Sequence, residues 1–221
     1  MKYSLGQNLR YRLNYSRTVV HLHADLAHVA PPVEHPPFRF RQMDPGSPAD
    51  VQQWIEIIND AYDDAACDAA AARSHWENHL FLKLSRIEFL TDGDLPIGTI
   101  SIGPYRDNPQ VGGDARIAVL RSHQGRGLGG ALIRHGFDLL RRQGIRNGES
   151  IITITRERSI LLHFQCGFRP QFSARYHQYR KQKRLSVVRL LVALRLHGLY
   201  RRYLRELSSR FLPPSPDVQQ D

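Results

Sequence analysis

Apolar and polar positions alternate in some segments of the chain and recur at helical spacing in others. FRFRQM, residues 38–43, alternates apolar and basic side chains, which is typical of a half-buried strand. Residues 44–62 then supply a turn, a capping residue and apolar positions at helical spacing. A second helix is predicted from Ala70 to His79.

The middle of the chain predicts a β-hairpin and a further strand. RIEFL, residues 86–90, and LPIGTISI, residues 95–102, flank the turn TDGD, so we expect two antiparallel strands. A predicted loop over residues 103–114 leads into the apolar run ARIAVL, residues 115–120, which has strand character.

The second half of the predicted domain alternates helices and strands. A helix is expected up to about Arg142, followed by the β-branched run SIITIT at residues 150–155. A helix over Arg158 to Gln165 and the turn CGF then open one more strand. The resulting order, β–α–α–β–β–β–α–β–α–β, indicates an α+β or mixed α/β domain over residues 38–180.

Two segments flank this predicted domain. Residues 1–37 are interpreted as a polar arm that ends in the proline-rich linker PPVEHPP. Its His21, His23 and His28 fit a solvated arm better than a metal site, because no carboxylate or thiol is placed to complete the ligand set. We therefore expect no bound metal.

Residues 181–221 predict a basic amphipathic helix and a tail. Residues 174–210 hold eleven Lys/Arg and one acid, and this excess equals the net charge of +10 of the whole chain. An apolar stripe of this kind favours docking on the domain or on a second copy, which gives a homodimer. Contact with an anionic membrane surface or with nucleic acid is a weaker alternative. The stripe comprises Leu185, Val188, Val192, Leu196, Leu199, Tyr203 and Leu207.

Overall composition is that of a soluble globular protein. The chain has 221 residues, of which 41% are hydrophobic and 24% charged, so it can bury the core of one domain. No apolar run approaches the roughly 20 residues of a membrane helix, and the start lacks an apolar segment of secretory type. We expect a cytoplasmic location.

The ten-residue stretch RSHQGRGLGG, residues 121–130, concentrates glycine and arginine at a predicted strand-to-helix junction. Backbone N–H groups at a helix start bind anions, and glycines let a ligand approach the main chain closely. Arg126 adds a positive charge. The stretch therefore predicts a site for a phosphate or diphosphate group.

Two common phosphate-binding motifs match the sequence of this stretch poorly. A P-loop requires Lys and Ser/Thr at the helix start, where this chain has Gly130 and Ala131. Gly125, Gly127 and Gly130 do fit the dinucleotide pattern G-x-G-x-x-G. However, four polar residues separate them from the strand, and several strands precede them, so this alternative is disfavoured without being eliminated.

VLRSHQGRGLGGALI, residues 119–133, resembles the acyl-CoA-binding segment of the GNAT-type N-acetyltransferase superfamily, whose signature is met by Gln124, Gly127 and Gly129. HFQCGF, residues 163–168, is similar to a late segment of that superfamily. The resemblance implies a central, mostly antiparallel sheet flanked by helices. It also implies acyl transfer from acetyl-CoA or another acyl-CoA to an amine, by direct attack in a ternary complex and without a metal.

The resemblance also implies a set of cofactor contacts. The backbone at Ile117, Ala118 and Val119 would pair like a strand with the pantetheine arm. Main-chain amides of the glycine-rich stretch would hold the diphosphate, with an added contact from the Arg126 guanidinium. The implied diphosphate-binding residues are Gln124, Gly125, Arg126, Gly127, Leu128 and Gly129.

Two positions depart from the pattern of the superfamily. His163 stands where many relatives have a tyrosine that gives a proton to the departing CoA thiolate. A histidine can serve as that acid, or it can be a partly buried helix residue with a satisfied ring. Arg156 stands where relatives often have an asparagine that contacts the cofactor, and an arginine can still reach a phosphate.

The acceptor side offers several acids and no identifiable general base. Asp114 and Glu56 are the first candidates, although each also fits a solvated surface charge. A cluster near the end of the first predicted helix would attract a cationic amine or would simply cap helices. This cluster comprises Asp60, Asp63, Asp64 and Asp68.

The predicted partner is a small-molecule or peptide amine. The alternative function, from a different class, is a non-catalytic acyl-CoA-binding or interaction module that acts through its basic C-terminal helix. The missing tyrosine is the feature that favours this alternative.

Overall fold

The computed structural model describes residues 19–32, 36–62, 66–79, 81–153 and 156–170. Within them the chain forms two compact units. The larger unit spans residues 24–150. The smaller unit contains residues 19–23 and the described residues from 151 onward, so the division falls inside two strands.

Strands and helices follow one another in the predicted order from residue 38 onward. The helices are α1 (Pro48–Ala61), α2 (Ala69–Glu77), α3 (Leu128–Arg142) and α4 (Glu157–Gln165), with a short 3-10 helix at Arg121–His123. The strands are β1 (Val19–Asp25), β2 (Arg39–Gln42), β3 (Arg86–Asp92), β4 (Leu95–Pro104), β5 (Val111–Val119), β6 (Asn147–Thr153) and β7 (Arg169–Pro170).

In the larger unit the strands lie in the order β2-β3-β4-β5-β6. Neighbouring strands from β2 to β5 are antiparallel, whereas β5 and β6 run parallel. The predicted α+β fold with a mostly antiparallel central sheet is therefore confirmed.

Helix α1 begins at a cap that also ties it to β2. Ser47 precedes the helix, and its Oγ accepts a hydrogen bond from the Asp50 N–H at 3.3 Å. The Asp50 carboxylate accepts two bonds of 2.8 Å from Arg41 on β2. These bonds lower the pKa of Asp50. The start of α1 is thus fixed against the edge of the sheet.

One face of the sheet packs against α1 and α2. The side chains of Trp54 and Ile58 on α1 are fully buried there, and Ala72 of α2 joins them. The sheet contributes alternate residues of its strands, as the two-residue period of a strand requires. The buried sheet residues of this cluster are Ile87, Phe89 and Ala118.

Helix α3 covers the opposite face of the sheet. It packs on β4 and β5, and its close approach depends on Gly136. A Cβ at that position would lie 2.8 Å from Cδ1 of Ile100 and 3.0 Å from Cγ2 of Ile102. Both faces of the central strands are therefore occupied by helices.

Strand β5 begins earlier than the sequence predicts. The predicted loop over residues 103–114 contains the end of β4 and the start of β5 at Val111. Glycine has low strand propensity, which is why the sequence pattern hides this start. Neighbouring side chains fill the space above the glycines: a Cβ at Gly112 would lie 2.6 Å from Cδ1 of Leu140, and one at Gly113 would lie 2.8 Å from Cδ2 of Leu82.

The solvated-arm interpretation is wrong for residues 19–25, which form β1. In the smaller unit β1 pairs antiparallel with β7, with Leu22 opposite Pro170. His21 is only 2% exposed. Residues 1–18 and the predicted C-terminal amphipathic helix lie outside the described residues. In the described part of the chain, no helix is long and apolar enough to cross a membrane.

Candidate functional site

The central feature of the candidate site is the edge of β5 that faces β6. The two strands pair from Val111 opposite Asn147 to Gly113 opposite Glu149. Strand β5 then continues to Val119 while it pairs on its other side with β4. Beyond Gly113 the described pairing with β6 ends, and a ligand with amide groups can pair with this edge of β5 as another strand would.

A β-bulge lies in this part of β5. Ala118 pairs with Thr99 and Ala115 pairs with Ser101, so one extra residue of β5 is accommodated between them. Arg116 has a φ of 53°, which is unusual for a residue other than glycine. The hydroxyl of Tyr62, which follows α1, donates a 2.7 Å hydrogen bond to the carbonyl of Ile117. The bulge is thus held from the side of α1.

The segment after β5 is tied to both α1 and the sheet. The N–H of Arg121 donates to the Asp60 carboxylate at 2.6 Å, and its Nε donates to the Asp60 carbonyl at 2.6 Å. The Gln124 side chain donates from Nε2 to the carbonyl of Val119 at 2.9 Å. These bonds fix where the glycine-rich segment leaves the strand.

Two glycines of that segment have left-handed backbone conformations. The φ of Gly125 is 80° and that of Gly127 is 77°. No atom lies within 4 Å of a Cβ built on Gly125, so conformation and access explain this glycine better than packing does. Residues 124–127 are exposed.

Helix α3 begins directly after these glycines. Gly127 is its N-cap and supplies no side-chain hydrogen bond, while its carbonyl accepts from the N–H groups of Gly130 and Ala131. The first amides of a helix need partners from outside the helix, and its N-terminus favours negative charge. The predicted placement of Gln124, Gly125, Gly127, Leu128 and Gly129 at a strand-to-helix junction is confirmed. Their contact with a diphosphate stays a prediction.

Arg126 extends from the exposed loop over an aromatic ring that precedes β2. Its guanidinium carbon lies 4.7 Å from the centre of the Phe38 ring, which is a cation–π geometry. Phe38 therefore positions the Arg126 guanidinium, which is the group predicted to contact a phosphate. The sequence pattern gave Phe38 no role beyond its strand.

Two of the predicted acceptor-side acids have structural partners. Asp60 accepts the Arg121 bonds, and Asp68 caps α2 by accepting from the Ala71 N–H at 2.8 Å. Glu56 accepts a bond from Gln52 on the surface of α1. The capping role is confirmed for Asp68. Asp63 and Asp64 lie outside the described residues.

A pair of histidines lies on the side of the sheet that α1 and α2 cover. His75 Nε2 and Ser101 Oγ are 3.0 Å apart and share a hydrogen bond, and the His75 ring stacks on Trp54 with centroids 5.2 Å apart. His79 meets His75 edge to face at 5.5 Å. Its Nδ1 accepts from the N–H of Leu82 at 3.1 Å. No pattern in the sequence pointed to either histidine.

Burial and positive charge keep these histidines neutral. Burial is the main cause that lowers the pKa of His75 to about 3, and its neighbours His79 and Arg116 lower it further. The pKa of His79 is also lowered, first by burial and then by Arg106 and Arg116. At neutral pH the surroundings of the bulge therefore contain two uncharged imidazoles beside a permanent guanidinium charge.

The other two predicted residues belong to the smaller unit. His163 on α4 is fully buried, its Nδ1 donates to the Ser159 carbonyl at 2.7 Å, and its ring meets Phe168 edge to face. Arg156 is the half-buried N-cap of α4. The burial and bond of His163 fit a structural role, and its role as proton donor stays a prediction, as does cofactor contact by Arg156. Among the described residues, no group of three or more His, Cys, Asp or Glu is placed to hold a metal ion.

The chain matches a known family over the part that contains this site. The sequence profile of the acetyltransferase (GNAT) family matches residues 51–168, which is more than half of the chain. No curated protein matches the chain at a significant level.

Solved structures with the same fold come from several sources. The GCN5-related N-acetyltransferase of Sphaerobacter thermophilus is 20% identical with a TM-score of 0.56, over 70% of this chain and 49% of that one. A GCN5-related glucosamine N-acetyltransferase region of a fungal multi-domain β-N-acetylglucosaminidase is 13% identical with a TM-score of 0.53, over 69% and 20%. An Escherichia coli N-acetyltransferase for an alanine of a ribosomal protein is 18% identical with a TM-score of 0.50, over 61% and 79%.

At these identities the likeness establishes the fold. The chain spans about half the length of the Sphaerobacter protein and a fifth of the fungal one.

The neutral His75 predicts a specific loss of stability in acid. The unfolded chain binds a proton at the ordinary histidine pKa, whereas the folded protein binds it only near the lowered pKa of about 3. The stability that this difference contributes is complete above about pH 6.5 and is lost as the pH falls toward 3.

Urea unfolding at a series of pH values, with His75→Phe as the comparison, measures this effect. The variant keeps an aromatic ring against Trp54 and cannot titrate. Between about pH 6 and pH 4 the wild-type free energy of unfolding should fall more steeply than that of the variant, by up to about 1.4 kcal/mol per pH unit. Equal slopes would show that His75 is not held neutral by the fold.

Proposed function

The chain belongs to the GNAT acetyltransferase family, and on that premise we propose that it is an N-acyltransferase. It would transfer an acetyl group, or another acyl group, from its CoA thioester to an amine. The acceptors named for the solved structures, glucosamine and a protein alanine, are chemically different. The fold therefore does not determine which acceptor is used, and the residues around the site do.

The observation that carries the proposal is the part of β5 beyond its described pairing with β6, which leads into the glycine-rich start of α3. An acyl-CoA carries a diphosphate, amide groups and a thioester in that order along one extended chain. The amides of residues 124–129 and the Arg126 guanidinium suit the diphosphate. The main chain of Ile117, Ala118 and Val119 suits the amides of the pantetheine arm, although the Ile117 carbonyl already accepts from Tyr62.

The proposed reaction depends mainly on positioning. With the arm paired along β5, the thioester lies near the bulge, where main-chain N–H groups polarise its carbonyl. A neutral amine attacks that carbon, the new C–N bond forms, and the C–S bond breaks. The nitrogen loses a proton and the thiolate gains one. Holding the two reactants together supplies much of the rate enhancement.

His163 is the predicted proton donor to the thiolate. The rival function, a non-catalytic acyl-CoA-binding module, is favoured by the full burial of this ring. If His163 is the donor, His163→Tyr should retain activity and His163→Phe should lower kcat by about 100-fold. Steady-state kinetics of amine-dependent CoA release measures both. Equal kcat values in the two variants, with lowered melting temperatures, would assign His163 a structural role.

Paired glycine substitutions test the diphosphate site itself. Gly125 and Gly144 have φ values of 80° and 84°, and a Cβ on either would meet no atom within 4 Å. Gly125 lies in the proposed site, whereas Gly144 follows the other end of α3. Alanine at either position should cost about 1 kcal/mol of stability. Only Gly125→Ala should weaken acetyl-CoA binding, by about tenfold or more.

Isothermal titration calorimetry with acetyl-CoA, and with NAD as the competing ligand class, decides this prediction. Wild-type protein and Gly144→Ala should bind acetyl-CoA alike and bind NAD far more weakly. Equal affinity of the two alanine variants for acetyl-CoA would rule out the proposed diphosphate site. Binding of NAD in preference to acetyl-CoA would favour the dinucleotide alternative.

A further inference from the structure

Arg116 stands out in the larger unit because its backbone is strained and its side chain is charged. It lies in the bulge of β5 with a φ of 53°, a conformation that costs a residue with a side chain about 1 kcal/mol or more. Glycine would adopt it freely. A half-buried arginine that keeps this conformation indicates a functional role for its guanidinium.

The surroundings of Arg116 leave its charge available. Arg41 and Arg86, on β2 and β3, each form an ion pair at 2.8 Å, with Asp50 and Glu88 respectively. Among the described residues Arg116 forms no ion pair within 4 Å. Its guanidinium carbon instead lies 5.7 Å from the centre of the Tyr62 ring, a long cation–π contact.

The neighbours of Arg116 respond to that charge. Burial is the main cause that lowers the pKa values of His75 and His79, and the Arg116 charge adds to it, so neither histidine adds a second positive charge at neutral pH. The Asp114 carboxylate acts on His79 in the opposite direction. The region around the bulge therefore contains one permanent cation, Arg116, beside two imidazoles that are neutral at pH 7.

The bulge is also where the proposed reaction takes place. It lies in the part of β5 whose edge extends beyond the pairing with β6. Helix α3 occupies the opposite face of β4 through Gly136, Ile100 and Ile102. An acceptor therefore approaches the thioester from the side of α1 and α2, on which Tyr62, His75 and Arg116 interact.

We infer that Arg116 determines acceptor specificity by binding a carboxylate carried close to the reacting amine, as in a free amino acid. A guanidinium and a carboxylate form two parallel hydrogen bonds with fixed geometry, which would orient the amine toward the thioester. The carboxylate is unchanged by the transfer. This inference rests on the proposed N-acyltransferase function and names its acceptor class.

Matched acceptor pairs test the inference on the full chain. Each pair differs by the carboxylate alone: phenylalanine with phenethylamine, and lysine with cadaverine. CoA release from acetyl-CoA is followed for the wild type, Arg116→Gln, Arg116→Lys and Arg73→Gln. Arg73 is an exposed arginine of α2, so its variant removes the same charge from the same side of the unit.

The wild type should favour the carboxylate member of at least one pair by about tenfold or more in kcat/KM, the range of a charge-assisted hydrogen bond. Arg116→Gln should abolish this preference mainly through KM, Arg116→Lys should retain part of it, and Arg73→Gln should leave it unchanged. A melting curve for each variant verifies that it is folded.

Three results would overturn the inference: no preference in the wild type, a preference that survives in Arg116→Gln, or transfer to phenethylamine or cadaverine without transfer to phenylalanine or lysine. Failure of the proposed function is a different result. In that case the wild type would bind no acetyl-CoA in calorimetry, or would bind it and release no CoA with any of the four amines.

Discussion

The candidate site depends on the place where β5 stops pairing with β6. A strand in the middle of a sheet normally exchanges main-chain hydrogen bonds on both sides, because buried N–H and C=O groups need partners. Here β5 continues past Gly113 with β4 on one side and the described pairing with β6 finished on the other. A ligand with its own amide groups can complete that edge. The bulge, the glycine-rich segment and α3 follow in order along the same strand.

Charge is distributed unevenly around that edge. At the carboxyl end of β5, the Arg126 guanidinium and the start of α3 favour a diphosphate. At the bulge, Arg116 lies among imidazoles that burial and neighbouring charge keep neutral. Two anion-attracting positions thus lie at the bulge of β5 and at the junction that follows the strand. Under the proposed function, one suits a group of the coenzyme and the other a group of the acceptor.

Local pattern predicts much of this structure. The order of elements from residue 38 and the glycine-rich junction follow from short-range periodicity and from one motif. The start of β5 was missed because Gly112 and Gly113 have low strand propensity. The presence of glycine there is explained by the side chains of Leu140 and Leu82, which pack against these two positions. Strand β1 was missed although Val20, Leu22 and Ala24 alternate with polar residues, because its histidines and charged neighbours made the whole segment look like a solvated arm.

The site residues that the sequence did not reveal depend on long-range contacts. His75 meets Ser101 across 26 residues, and Tyr62 meets Ile117 across 55. No spacing rule connects such positions, and a neutral histidine is recognised only from its surroundings. In the sequence, nothing distinguishes Arg116 from the other arginines of this strongly basic chain. Its position in the bulge and its positive φ are visible only in the structure.

Hydrogen–deuterium exchange of backbone amides, with and without acetyl-CoA, tests whether this strand-to-helix junction holds the coenzyme. If main-chain groups at this strand-to-helix junction hold the coenzyme, exchange should slow at residues 117–119 and 124–129 when acetyl-CoA is added. Unchanged exchange in both segments at saturating acetyl-CoA, or protection confined to other parts of the chain, would show that these main-chain groups do not hold the coenzyme.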